Sequence, residues 1–488
     1  MSAVTSHASY CIHLNPDLSD LDQIYIENQI LALIGDEARK MDSKTDPFDN
    51  LDVLVTAAIQ NGKIEDAPAS KQILEAQLMN FATPLPSTIN SIFWDKHLIN
   101  SREATDWFYN LSKANNYIQT RAISKNLKFT TKSEYGDLEI TINLSKPEKD
   151  PRAIAAAFNT PQNDQYPLCQ LCMENEGYLG RIDYPARSNH RIVRFNLGGQ
   201  TWGFQYSPYS YFSEHAIFLD QIHEPMEITR QTFVNLLTII STFKDYFVGS
   251  NADIPLVGGS MLSHEHYQGG RHNFPMFKAP IEHDLKLKSF PNLKAGIVKW
   301  PMSVIRISSN NKKDLIDAAE MIREKWQEYS DESVGIRAYV NGERKHTVTP
   351  IAHRNGDEYT LEIVLRDNQT SEKYPDGIFH PHQDVQHIKK ENIGLIEVMG
   401  LAILPGRLQT ELSEVKKFLL NQDNEIKESH RPWAEELKSK QVWNKDNIEA
   451  QLNQAVGDVF SRVLEDAGVF KRDDKGKVAF MNFCKKIC

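Results

Sequence analysis

The sequence predicts an α+β protein: two halves of antiparallel strands and packed helices, with a helical region ahead of them. Three observations predict it. Apolar residues in the first 125 positions recur at helical spacing. From Leu127 the period changes to alternation, as in half-buried strands. A plan of strands and one amphipathic helix then occurs twice, before and after residue 275, without any repeat by residue identity.

The helical region takes its apolar faces from Ile24, Ile26, Ile30, Leu33 and Ile34, then Leu51, Leu54, Ala57 and Ala58. Trp107, Leu111, Ala114 and Ile118 follow, with Asn100 ahead of Glu103 as a start signal. In the first half, Leu138, Ile140, Ile142 and Leu144 alternate after the Tyr135-Gly136-Asp137 turn. Val193, Phe195 and Leu197 alternate into Gly198-Gly199, and Trp202, Phe204 and Tyr206 alternate out of it, which reads as a hairpin. A short strand is expected near residues 215–222, then a helix carrying Phe233, Leu236, Leu237, Ile240, Phe243 and Phe247. The run Ile254-Pro255-Leu256-Val257 reads as a strand feeding a glycine turn. In the second half the pattern gives a strand over 297–307, a helix over 312–329, a strand pair around Asn341-Gly342 and a strand through Leu361, Ile363 and Leu365. Ile448, Leu452, Val456 and Phe460 mark a helix in a polar tail. The expected divisions are 1–125, 126–275, 276–422 and 423–488.

A chain of 488 residues, 40% hydrophobic and 25% charged, can bury a sizeable core. With 55 Lys+Arg against 65 Asp+Glu the net charge is −10, which argues against a nucleic-acid partner gripped through overall charge. No apolar run reaches the ~18–20 residues of a membrane span, so no membrane partner is expected. Five cysteines are too few for a disulfide framework and, with no leader visible after Met1, fit a cytoplasmic enzyme.

The chemistry-bearing segment is Val257-Gly258-Gly259-Ser260-Met261-Leu262-Ser263-His264-Glu265-His266-Tyr267-Gln268-Gly269-Gly270. If residues 264–268 are extended, His264, His266 and Gln268 share one face. Glycines let a phosphate approach backbone N–H donors, so Gly258, Gly259, Ser260 and Ser263 are the substrate-binding candidates. A neutral imidazole attacks phosphorus without a separate base and leaves well afterwards. Gln268 can donate to a phosphoryl oxygen but cannot relay protons, so the group suits keeping a phosphoramidate rather than hydrolysing it. The plain alternative is three polar residues on a solvated loop.

This segment resembles the His-x-His-x-Gln signature of the galactose-1-phosphate uridylyltransferase branch of the histidine-triad superfamily. The form Gly-Gly-Ser-x-x-Ser-His-x-His-x-Gln-Gly-Gly is similar to that of the type 2 UDP-glucose–hexose-1-phosphate uridylyltransferases. The resemblance runs over residues 20–420 and includes Phe93-Trp94, Ala104-Thr105-Asp106, Tyr206-Ser207-Pro208-Tyr209 before Glu214-His215, and Ile393-Gly394-Leu395-Ile396-Glu397-Val398-Met399-Gly400. It implies two histidine-triad-like halves and a ping-pong exchange in galactose metabolism. His266 attacks UDP-glucose and releases glucose 1-phosphate; galactose 1-phosphate then takes the uridylyl group, giving UDP-galactose. His264 and Gln268 complete the catalytic set, Gln268 positioning phosphoryl oxygens. Type 1 enzymes carry prolines where Glu265 and Tyr267 stand here.

Cys169-Gln170-Leu171-Cys172 can hold a zinc ion if two further ligands come from elsewhere. By the resemblance these are His223, with His215 second to it, and His264, making a structural zinc and no organic cofactor. The alternative is a pair of idle thiols; Cys484 and Cys488 read as exposed tail residues. His380-Pro381-His382-Gln383 is spelled closer to the type 1 motif but lacks a glycine cradle, so substrate phosphate, a second metal or a surface loop all stay open. Arg191 and Arg194 could meet an anion or simply be solvated, and the aromatic hairpin at 202–206 could lie at a homodimer interface. Two rival functions remain: a nucleoside-phosphate phosphorylase or hydrolase on the same scaffold, and a sugar-nucleotide-binding protein with a dead site.

Overall fold

The computed structural model describes residues 1–145, 166–259 and 261–488. The chain divides into two compact units. One takes Met1–Ser124, the described part of 146–210, and Glu214–His223; the other takes Lys125–Ser145, Tyr211–Ser213 and Glu224–Cys488. No helix among the described residues is long and apolar enough to cross a membrane. The architecture is α+β with antiparallel sheets, as the change of period predicts.

In the first unit, helices Ala3–Leu14, Gln23–Ile34, Pro47–Gln60 and Pro68–Asn80 close around Val4, Ala8, Ile30, Leu51, Leu54, Ala58 and Leu78. Their starts are set locally. Ser2 accepts from Thr5 N at 3.1 Å, and Asp46 caps Phe48 and Asp49 just before Pro47. Asn100 caps helix Ser101–Ala114 by accepting from Arg102 N at 2.9 Å, the start signal legible in the sequence. Strands Val193–Leu197, Gln200–Tyr206 and Ala216–Asp220 form an antiparallel meander. Trp202, Phe204 and Tyr206 are buried at 2%, 0% and 1% exposure, and Phe204 packs on Phe93, Phe108 and Phe218. The hairpin aromatics are therefore core, and they offer no apolar surface for a partner.

In the second unit, hairpin Leu127–Ser133 and Gly136–Asn143 accepts Leu401–Pro405 as a parallel third strand. Seven further strands lie in the order His266–Gly270, Phe247–Gly249, His346–Asn355, Glu358–Asp367, Val304–Ser309, Lys294–Val298, Ile281–Leu285. The core joins Ile140, Phe247, Phe274, Trp300, Ile351, Val364, Leu395 and Val398, and the tail helix Ile448–Ala467 adds Val456, Phe460 and Leu464. Each such side chain contributes about 1.5–3 kcal/mol when fully buried.

The helix of the first half ends at Thr242, because Phe243 leaves helical geometry at ψ 75, and Phe247 belongs to the next strand. Residues 254–257 are no strand: Pro255 lacks an N–H and Leu256 sits at φ +70. The stretch 297–307 is two antiparallel strands, Lys294–Val298 and Val304–Ser309, turned at Trp300-Pro301. Cys484 is 1% exposed inside helix Asp474–Ile487 and is a core residue.

Candidate active site

Strand Phe247–Gly249 carries the site into position. It pairs on one edge with strand His266–Gly270, Gly249 opposite Gln268, and on the other with His346–Asn355, Gly249 opposite Ile351. The strand proper begins at His266; His264 lies in the bend before it, so the shared extended face belongs to His266 and Gln268. His264 is fully buried and His266 is 5% exposed.

The two histidines are linked through the backbone. Nδ1 of His266 donates to the carbonyl oxygen of His264 at 2.8 Å. A carbonyl only accepts, so Nδ1 carries the proton and Nε2 keeps a bare lone pair. Burial pulls His266 down to about 4, so the ring is neutral near pH 7.

Glu265 and Tyr267 point to the opposite side and do the anchoring. Glu265 N donates to Glu224 O at 2.8 Å, and its carboxylate accepts from Glu227 N at 3.2 Å. Asn235, on helix Arg230–Thr242, donates to the Tyr267 hydroxyl at 3.0 Å, and burial pushes that phenol well above its ordinary value. The backbone at Glu224 and Glu227 and the Asn235 side chain on the helix thus anchor this segment.

Ahead of the histidines the chain turns at Gly258 and Gly259, with φ of +115 and +76. A Cβ on Gly258 would stand 2.6 Å from Ile393 O, so both conformation and space require glycine there. Ser263 is exposed, and Ser260 lies outside the described residues. Asn251, not singled out in the sequence, packs under Gly259 and accepts from Leu395 N at 2.9 Å.

In the first unit, Cys169, Cys172 and His223 present ligand atoms within 4.8 Å of one another. Sγ of Cys169 and Cys172 are 3.2 Å apart, and Cys172 Sγ is 3.1 Å from His223 Nδ1. Asn175 holds the Cys-x-x-Cys turn through the carbonyls of Cys169 and Cys172, both at 2.8 Å. Burial and the neighbouring thiol push Cys172 up to about 12, a cost that a divalent cation would reverse by binding thiolate. His215 is not among the gathered ligands. Two soft thiols and an imidazole fit zinc and leave one tetrahedral position for a further ligand.

The second His-x-His is built into the fold. His380 Nε2 lies 3.0 Å from Asn392 Oδ1; His382 donates to Ile378 O at 3.0 Å and stacks on Tyr374 at 4.1 Å. His382, Asp384 and Asp466 could hold a cation, but Arg462 already sits there, 2.9 Å from Asp466 Oδ1. Arg191 is not solvated: it is 8% exposed and braces Pro84 O, Ser188 O, His190 O and Asn80. Arg194 pairs with Glu176.

Residues 17–225 match the family model of the galactose-1-phosphate uridyl transferase N-terminal domain, and residues 239–435 match that of its C-terminal domain. A galactose-1-phosphate uridylyltransferase of Lacticaseibacillus casei is 62% identical over 487 residues, covering 100% of both chains. One of Streptococcus mutans is 55% identical over 475 residues, 97% of this chain and 96% of its own. Among solved structures, yeast Ap4A phosphorylase with Ap4A bound superposes at TM-score 0.36 and 10% identity, over 62% of this chain and 88% of that one.

Proposed function

This chain belongs to the galactose-1-phosphate uridyl transferase family, and we propose that it moves a uridylyl group between UDP-glucose and galactose 1-phosphate through a covalent bond to Nε2 of His266. One observation carries this assignment of the nucleophile: the 2.8 Å bond from His266 Nδ1 to the His264 carbonyl, which leaves Nε2 as the bare nitrogen of a neutral ring.

In the first half-reaction the Nε2 lone pair forms a bond to the α-phosphorus. The bond from that phosphorus to the bridging oxygen breaks, and glucose 1-phosphate leaves with the electron pair. The ring becomes cationic at phosphorylated Nε2, and the His264 carbonyl accepts a stronger bond from Nδ1–H as that charge develops. A phosphate oxygen of galactose 1-phosphate then attacks the same phosphorus. Nε2 departs as neutral imidazole, and UDP-galactose leaves. Gln268 offers an amide donor to the phosphoryl oxygens, while the turn at Gly258 and Gly259 brings backbone donors close to phosphate. Ser260 and Ser263 belong to the same stretch as substrate contacts.

Cys169, Cys172 and His223 would hold a zinc ion with His264 as fourth ligand. Zinc held there would be structural and would supply no reaction step.

Exchange kinetics test the reading. Labelled glucose 1-phosphate should appear in UDP-glucose with no galactose 1-phosphate present, because the half-reaction is reversible. Exchange that requires the second sugar phosphate would rule out a ping-pong route.

A further inference from the structure

Arg366, on strand Glu358–Asp367, is 2% exposed, and among the described residues no carboxylate forms an ion pair with it. Its terminal nitrogens donate to Ile393 O at 2.7 Å and Thr349 Oγ1 at 3.3 Å, and Nε has no partner. Burial pulls the guanidinium down to about 10, with the Glu397 carboxylate, too far for an ion pair, opposing that shift. Burying a cation without a carboxylate is costly, so a fold that keeps one has a use for it or a compensating network.

The atom that Arg366 grips is the one on which the glycine turn rests. A Cβ on Gly258 would meet Ile393 O at 2.6 Å and Gly394 Cα at 3.0 Å, and Gly394 lies against Gly259 N as well. The segment beneath the turn is clamped at each residue. Arg366 takes Ile393 O, the Glu397 carboxylate accepts from Gly394 N at 3.2 Å, and Asn251 accepts from Leu395 N at 2.9 Å. A carbonyl oxygen left bare beside a phosphate would repel it; Ile393 O is instead bound by a cation.

We propose that Arg366 is a positioning residue for the diphosphate of the nucleotide sugar: it fixes the Ile393 carbonyl that seats the Gly258-Gly259 turn and places a buried positive charge behind that turn. This rests on the reading that the turn carries phosphate. Arg366 sits on a different strand from the nucleophile, so the phosphate cradle is completed from the second half of the chain. A buried arginine acting only as a strut would support folding but leave nucleotide affinity untouched.

The test is the affinity of the full-length protein for UDP-glucose by calorimetry, which does not require turnover. Arg366→Met should raise Kd roughly 10- to 100-fold, the cost of a misplaced binding group, with a smaller fall in kcat; Arg366→Lys should restore most of it. Arg306→Met, removing a guanidinium that braces Glu362, Ala279 O and Met276 O, should lower Tm without changing Kd. Should Arg366→Met fail to fold, Gly258→Ala attacks the same seat from the other side and should raise Kd alike. Unchanged Kd in a folded Arg366→Met, or in Gly258→Ala where Arg366→Met does not fold, overturns the proposal. Wild type that binds UDP-glucose but forms no covalent adduct overturns the His266 mechanism alone; wild type that does not bind it overturns both.

Discussion

His266 donates through Nδ1 to the carbonyl oxygen of His264 across 2.8 Å, and this bond sets the tautomer of the imidazole. A neighbour two residues back supplies what a carboxylate supplies in other histidine pairs. The ring and the carbonyl that orients it therefore travel together on one short stretch of chain.

Replacing His266 with Asn should remove transfer while keeping the fold. The loss of kcat should reach at least about 10³-fold, as for other covalent nucleophiles. Steady-state assays with UDP-glucose and galactose 1-phosphate read it directly, with circular dichroism as the check on folding.

Tyr267→Phe should act on stability more than on chemistry. It removes the 3.0 Å bond from Asn235 and leaves a buried amide short of an acceptor, costing about 1–3 kcal/mol. Denaturant midpoints should fall accordingly, while kcat stays within about one order of magnitude because the nucleophile is untouched.

The Cys169–Cys172–His223 group should bind about one zinc ion per chain, as its donor set suits. Cys172→Ser should lose the metal and lower Tm. Elemental analysis of wild type without zinc, after purification free of chelator, would remove the claim.

A pH prediction follows from His7, which is fully buried in the helical core and donates from Nε2 to Leu78 O at 3.2 Å. Burial lowers it from 6.5 to about 4. Between those values the unfolded chain binds a proton that the folded chain does not. Stability is therefore lost as pH falls from about 6.5 to about 4, and no further below that, by on the order of 3 kcal/mol. His7→Leu should flatten the fall in Tm between pH 6.5 and 4.5 relative to wild type.

Much of this arrangement is legible in the sequence, for physical reasons. Alternation around Gly198-Gly199 and after Gly136 reports strands whose one face is buried, and the structure has both hairpins. The Cys169–Cys172 spacing and the His-x-His-x-Gln string are local, so chain neighbours remain neighbours in space. Phe247 misled because its spacing from Phe243 fits a helix, whereas its burial comes from strands on both sides. Arg366 and Ile393 meet across 27 residues, and no local pattern marks such a contact. Arg191 and His382 look like ligand-binding side chains in a linear string; only the fold shows their polar atoms spent on the chain's own carbonyls.

A covalent bond at Nε2 of His266 is read by peptide mass mapping after incubation with UDP-glucose alone. A uridylyl group is expected on the peptide containing His266, discharged when galactose 1-phosphate is added and lacking in His266→Asn. A folded protein that turns over substrate with that peptide unmodified, or with the group on another residue, would contradict it.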